Sequence, residues 1–246
     1  MIRQHRVRPI VPSVPKMHCG LTMILKQSIQ HALEANDLEA IVALAREHRK
    51  VLTLLIRSAY DKETLAGWRA IKAVGLAARE LVKTDHEFLR ETARKLLWSL
   101  SDESGGIGWS APELLGEIVA ADPQRFSDII PLIAGVYGIE EDVFRPGVVY
   151  ALGRIAGVSP ELVMPHRGIL FSALSGPDPL ARVYAIRAVK SIWKLETQKN
   201  RSIIDGLIKD LASDKREVFI YHNYCFSRIE VGEESEIALA ELMEVG

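Results

Sequence analysis

The stretch Val148-Val149-Tyr150-Ala151-Leu152-Gly153-Arg154-Ile155 contains a phrase that recurs along the chain. It appears as Ala73-Val74-Gly75, Leu114-Leu115-Gly116 and Ala151-Leu152-Gly153, then decays to Ala185-Ile186-Arg187. The middle residues, 74, 115, 152 and 186, are separated by 41, 37 and 34 positions. Periods in this range are the mark of stacked helical pairs, each of which buries its apolar face only against its neighbours. Val148, Ala151, Leu152 and Ile155 recur at helical spacing around the phrase. The expected fold is therefore all-α, a solenoid of helical pairs.

The phrase falls on the second helix of each pair. Glycine inside a helix costs about 1 kcal/mol relative to alanine. Gly75, Gly116 and Gly153 share one register, and close approach between neighbouring second helices is the simplest common cause. The register also serves as a ruler for the inner face. Lys72, Glu113, Tyr150 and Tyr184 occupy equivalent positions, with Leu76, Glu117, Arg154 and Ala188 one turn later. The implied surface mixes both charge signs with two tyrosines, which suits a protein or peptide better than a phosphate backbone.

Working outward, helices are expected from Leu21 almost to Leu211, with Asp61, Asp85 and Asp178 as N-caps and Pro179 at the first helical position. Residues 1–16 hold Pro9, Pro12 and Pro15 and no helical period, and read as a disordered tail. Residues 17–212 form the solenoid, and 213–246 a C-terminal cap. In that cap Glu217-Val218-Phe219-Ile220-Tyr221 and Tyr224 to Val231 read as strands, with His222-Asn223 as the turn of a short β-hairpin. A short helix over Ser235 to Met243 follows.

The pattern resembles HEAT-type repeats over about residues 50–212. The resemblance rests on Ala70-Ile71-Lys72-Ala73-Val74-Gly75, on the Val148 to Ile155 stretch, and on Asp178-Pro179-Leu180-Ala181-Arg182-Val183-Tyr184-Ala185-Ile186-Arg187-Ala188-Val189. As a whole the chain looks like small uncharacterised bacterial HEAT-repeat proteins. The resemblance implies a right-handed α-α superhelix whose second helices line a concave face, and it implies no activity. The long loop 101–109 and the terminal hairpin depart from that pattern.

The most unusual stretch is Ser104-Gly105-Gly106-Ile107-Gly108-Trp109-Ser110-Ala111-Pro112-Glu113. One reading is structural: Ser110 and Glu113 as a capping box, Pro112 in the first turn and Trp109 as a staple. The other is a ligand-binding loop over 104–109, which lacks the Lys-Ser/Thr of a P-loop. Arg145 is expected to pair with Glu113 or Glu117 across repeats, or to join them around a ligand. The candidate partner-binding residues are thus Trp109, Glu113, Glu117, Arg145, Tyr150 and Arg154.

With 31 basic and 32 acidic residues the net charge is −1, which argues against a dedicated nucleic-acid binder. The seven histidines form no metal-ligand spacing, Cys19 and Cys225 are far apart, and there is no G-x-S-x-G elbow. No catalytic residue, metal site or cofactor is expected. No apolar run reaches the length of a membrane span, and a cytoplasmic location follows by default. The leading expectation is a non-enzymatic scaffold or adaptor that binds a protein or peptide on its concave face. A HEAT-like DNA-repair glycosylase and a small-molecule-binding accessory protein stand as alternatives.

Overall fold

The computed structural model describes residues 17–100, 107–138 and 142–245. The expected tail 1–16 and most of the glycine-rich loop, 101–106, lie outside these residues. The described helices are α1 (Met17–Ala35), α2 (Leu38–Glu47), α3 (Lys50–Ser58), α4 (Leu65–Thr84), α5 (His86–Ser99), α6 (Ala111–Val119), α7 (Ile130–Val136), α8 (Arg145–Ala156), α9 (Pro160–Val163), α10 (Arg167–Ser175), α11 (Pro179–Ile192), α12 (Gln198–Asp210) and α13 (Val231–Val245). Strands β1 (Glu217–His222) and β2 (Cys225–Glu230) lie between α12 and α13.

Local chemistry sets several boundaries. Asn36 adopts φ 56° and ends α1 in the left-handed conformation that asparagine tolerates. Asp37, Asp85 and Asp178 accept backbone N–H bonds at the starts of α2, α5 and α11. The cap of α4 is Thr64, which accepts from Gly67 N at 3.1 Å, and not Asp61. Asp61 sits one turn too early, and its carbonyl accepts from the Thr64 hydroxyl instead.

The helices stack as pairs, α3 with α4, α5 with α6, α7 with α8, α10 with α11 and α12 with α13. The second members pack successively on one another, α4 on α6, α6 on α8, α8 on α11 and α11 on α13. This is the solenoid of helical pairs that the repeat spacing predicts. Its core is continuous, running from Leu25 through Ile71, Leu115, Leu152 and Ile186 to Leu242.

The glycine register does what its spacing suggests, with one refinement. A Cβ on Gly116 would stand 2.5 Å from Ala151 Cα, and one on Gly153 3.2 Å from Ala188 Cβ, so α6, α8 and α11 approach there at backbone distance. At Gly75 the space is filled by the carboxylate of Glu117, 2.5 Å from where a Cβ would be.

The C-terminal segment is built differently from a terminal hairpin followed by a short helix. The final helix spans Val231–Val245 and continues the second-helix layer against α11, so the hairpin is an insertion within the last helical pair. Its two ends meet: Val231 N donates to Arg216 O, and Gly232 N to Asp214 O. The turn is displaced by one residue from His222-Asn223. His222 pairs with Cys225, leaving Asn223 and Tyr224 as the loop with φ 47° and 66°. A two-residue turn of this kind requires positive φ at both central positions, and Asn supplies the first at little cost.

Candidate binding site

The inserted hairpin packs on α11 and reaches across the second-helix layer to α4. There the Tyr221 ring stacks on Trp68, with centroids 5.9 Å apart and planes 6° from parallel. Arg69 reaches Tyr224 O at 3.5 Å beside it. Between hairpin and helices lies a partly enclosed cleft of about 420 Å³, lined from α4, α6, α8, α11 and the hairpin turn. That volume lies within the range of ordinary ligand sites.

Glu117 is the centre of the cleft floor, and it is 2% exposed. Arg154 grips it with two bonds, Nε to Oε1 at 2.8 Å and a terminal nitrogen to Oε2 at 3.0 Å. Lys72 Nζ donates to Oε1 at 2.7 Å, and the Tyr150 hydroxyl donates to the same oxygen at 2.6 Å. Lys72 Nζ also donates to the Tyr150 oxygen at 2.5 Å and stands 4.9 Å from that ring's centroid. One carboxylate thus ties together three successive second helices. Burial alone would raise the Glu117 pKa; the charges of Lys72 and Arg154 and their hydrogen bonds outweigh it and hold the carboxyl below its ordinary range. Burial, then the Glu117 charge, push Tyr150 well above the usual phenol value, so its hydroxyl remains a donor.

An aromatic cluster packs beside the cleft. Trp68 and Tyr150 meet edge to face at 5.3 Å, and Tyr150 and Tyr184 at 5.4 Å. Together with Tyr221 these rings are each less than a tenth exposed. Leu76, Arg79 and Tyr224 also lie on the cleft lining.

The candidate residues separate into three places. Glu117, Tyr150 and Arg154 share the cleft floor. Glu113 is buried one turn away from Glu117, bonded to Lys62 Nζ at 2.9 Å and packed against Gly147, where a Cβ would fall 2.8 Å from both its oxygens. Lys62 also donates to Trp109 O at 2.8 Å, while the Trp109 ring is 44% exposed and tilts toward Phe144 at 6.4 Å. Arg145 meets neither glutamate. It pairs with Asp142 at 2.8 Å, three residues before it, and leans over the Tyr137 ring. A partner so close in the chain engages a terminal nitrogen of the guanidinium before it can reach across a repeat, while the buried Nε finds no partner among the described residues.

The capping box is also not formed. Ser110 Oγ donates to Ala59 O at 2.7 Å, and the Glu113 carboxylate is turned to Lys62, so both groups join α6 to the preceding pair. Sequence reasoning placed Lys72 and Tyr184 on the inner face but passed over Arg79, Arg187 and Tyr221. A signal for Arg187 was present, because it stands where the earlier phrases have glycine. Its long side chain spans to Glu234 on α13 with bonds of 2.7 and 3.1 Å.

Among the described residues no three His, Cys, Asp or Glu side chains lie where they could share a metal ion, and no helix is long and apolar enough to cross a membrane. No protein-family profile matches the chain, and no curated protein matches it. Solved structures do. A crystal structure of an engineered protein is similar at 15% identity, over 91% of this chain and 98% of that one, with a TM-score of 0.48. An archaeal HEAT-like repeats protein from Thermococcus onnurineus NA1 is similar at 16% identity, over 89% of this chain and 80% of that one, with a TM-score of 0.41. With both TM-scores below 0.5, the assignment of stacked helical pairs rests on this chain's own element order.

Proposed function

We propose that this protein is a non-enzymatic helical-repeat module that binds a protein partner in the cleft between its second helices and the inserted hairpin. One observation carries the reading: a 420 Å³ cleft open to solvent, whose lining combines Lys72, Arg79, Arg154 and Arg187 with three tyrosines packed into its walls. Tyrosine and arginine are the side chains that dominate protein-binding surfaces. The polar groups of the floor bind one another in a closed network around Glu117, which suits rigid recognition better than turnover. A glycosylase would need exposed rings along an open groove. Trp68 instead lies beneath Tyr221, and Arg145 is paired with Asp142. The free, exposed thiol of Cys225 suits the reducing cytoplasm.

The test uses the cleft rim. Arg79 and Tyr224 are both exposed, so Arg79→Glu with Tyr224→Ala should leave the melting temperature unchanged. Immobilised wild-type and variant chains are compared for the proteins they retain from a lysate of the source cells. The reading requires that the variant lose partners the wild type retains, and equal retention by both would refute it.

A further inference from the structure

The cleft carries a positive charge that the chain as a whole does not. The net charge of the chain is −1, yet among the described residues the lining holds Lys72, Arg79, Arg154 and Arg187 against Glu117 alone. Glu234 on α13 answers Arg187 with two bonds. Arg79 is exposed and has no hydrogen bond or ion pair among the described residues. Lys72 and Arg154 share the single charge of Glu117, so the group they form keeps one positive charge in excess. Exposure sets the partners apart. The side chains of Lys72 and Arg154 are 27% and 30% exposed and that of Glu117 2%, so what the group shows to solvent is cationic.

Both cations also have donors to spare. An ammonium has three N–H groups; Lys72 directs one at Glu117 and one at Tyr150, leaving a third. Arg154 bonds Glu117 through Nε and one terminal nitrogen, and its other terminal nitrogen has no acceptor among the described residues. Lys72 Nζ and Arg154 Nε reach the same oxygen, Oε1, at 2.7 and 2.8 Å, which puts the two cations close enough for one further carboxylate to bridge them. Tyr150 adds no competing charge, since its hydroxyl stays protonated. Two remaining donors match the two oxygens of a carboxylate, and hydrogen bonds to ionised groups are roughly twice as strong as neutral ones. A phosphate group brings three acceptor oxygens and a charge near −2, more than two donors and one excess positive charge can answer.

Resting on the reading of the cleft as a protein-binding site, we infer that its occupant is an acidic segment of the partner, one Asp or Glu of which bridges Lys72 and Arg154 above the buried Glu117. Arg79 lies two turns, about 10 Å, along α4 from Lys72. With no acid of its own, it attracts further acidic residues of the same segment. The cleft is far larger than one carboxylate, which leaves room for the residues that flank it. A neutral segment would offer these donors only amide and carbonyl oxygens and would leave the excess charge unanswered.

The experiment selects binders to the full chain from a displayed library of short random peptides and resynthesises the enriched ones in three forms. The first is the selected sequence, the second has Asn and Gln in place of Asp and Glu, and the third has phosphoserine at the acidic position whose replacement costs most. Isothermal titration at low salt compares them. Because both cations are partly exposed, their charged hydrogen bonds fall at the weaker end of the usual range, and the acidic form should bind about tenfold tighter than the amide form. Its lead should shrink as salt is raised. Lys72→Gln, with folding checked by circular dichroism, should bring the ratio toward unity. Arg79→Gln, at an exposed position, should weaken the acidic form more than the amide form. Equal affinity of the two forms, no enrichment of any peptide, a phosphoserine form bound about tenfold tighter than the acidic one, or a ratio unmoved by both substitutions would each overturn the inference. Selected peptides that carry no acidic residue and lose affinity for the Arg79→Glu, Tyr224→Ala variant would overturn it too, yet leave the protein-binding reading standing.

Discussion

Gly116→Ala tests the account of why these helices pack as they do. Glycine in the middle of α6 sacrifices about 1 kcal/mol of helix propensity, which alanine would recover. The added Cβ, however, would lie 2.5 Å from Ala151 Cα and 2.7 Å from Ala151 Cβ on α8. Carbon atoms in contact prefer separations near 3.5–4.0 Å, and neither neighbour can rotate away. The two helices must therefore part by about 1 Å along a fully buried seam. Overpacking costs about 1–3 kcal/mol, and a clash with backbone that cannot rotate away falls in the upper part of that range, about 2–3 kcal/mol. Subtracting the propensity gain leaves a net loss of roughly 1–2 kcal/mol. For a domain of this size that is a fall in melting temperature of roughly 2–8 °C. Gly206→Ala in α12 is the matched control, since a Cβ at that position would meet nothing within 4 Å; it should gain about 1 kcal/mol and melt higher. Gly153→Ala, whose Cβ would meet the tip of Ala188 at 3.2 Å, should fall between the two. Thermal melts followed by circular dichroism give the order directly. If Gly116→Ala melts at or above wild type while Gly206→Ala rises, the glycine is no spacer and the argument from register fails.

Other outcomes follow from the cleft and the hairpin. Glu117→Gln keeps the shape but strands the charges of Lys72 and Arg154. Breaking a buried pair costs about 3–5 kcal/mol, and partial exposure of both cations reduces the expected loss to roughly 2–3 kcal/mol by urea titration. Because the folded pKa of Glu117 is held down, its contribution is complete above the unfolded value of about 4.3 and is lost as pH falls through the folded value. The wild-type melting temperature should therefore drop on acidification below about pH 4, and more steeply than that of Glu117→Gln. Asp214 is held well below the ordinary carboxylate range by hydrogen bonds from Arg216 and then Arg182, against the opposing effect of burial. Its stabilisation is likewise present above about pH 3.9 and lost below, and Asp214→Asn should speed amide exchange across Glu217–Glu230 at neutral pH. Trp68→Ala removes the ring beneath Tyr221; hydrogen exchange should rise by about tenfold or more in the hairpin relative to α12, and an unchanged ratio would mean that the stack does not hold the hairpin over the cleft.

Several features were legible in the sequence because they are local. The period near 34 to 41 residues, the apolar spacing and caps such as Asp85 and Asp178 specify helical pairs without reference to distant residues. Gly116 and Gly153 announced close helix contacts, since only a strong packing reason offsets their cost. The ruler also placed Glu117, Tyr150 and Arg154 on one face, where they bind one another. It erred where two partners competed for one group. Asp142 was nearer to Arg145 than any glutamate of the previous repeat, and Lys62 from the α3–α4 connection took the Glu113 carboxylate that a capping box would have used.

What the tertiary structure alone decided is the cleft. Sequence order placed a hairpin near the end of the chain, where a cap belongs. It carried no sign that α13 would rejoin the second-helix layer and leave the hairpin as an insertion directed back to α4, far earlier in the chain. Repeat periodicity reports contacts between neighbouring units, because those contacts recur. The Trp68–Tyr221 stack occurs once, between residues 153 positions apart in the chain, and so leaves no periodic trace. The sequence determined a stack of helical pairs with a charged, tyrosine-bearing inner face. Only the fold laid the hairpin over that face and made it a cleft.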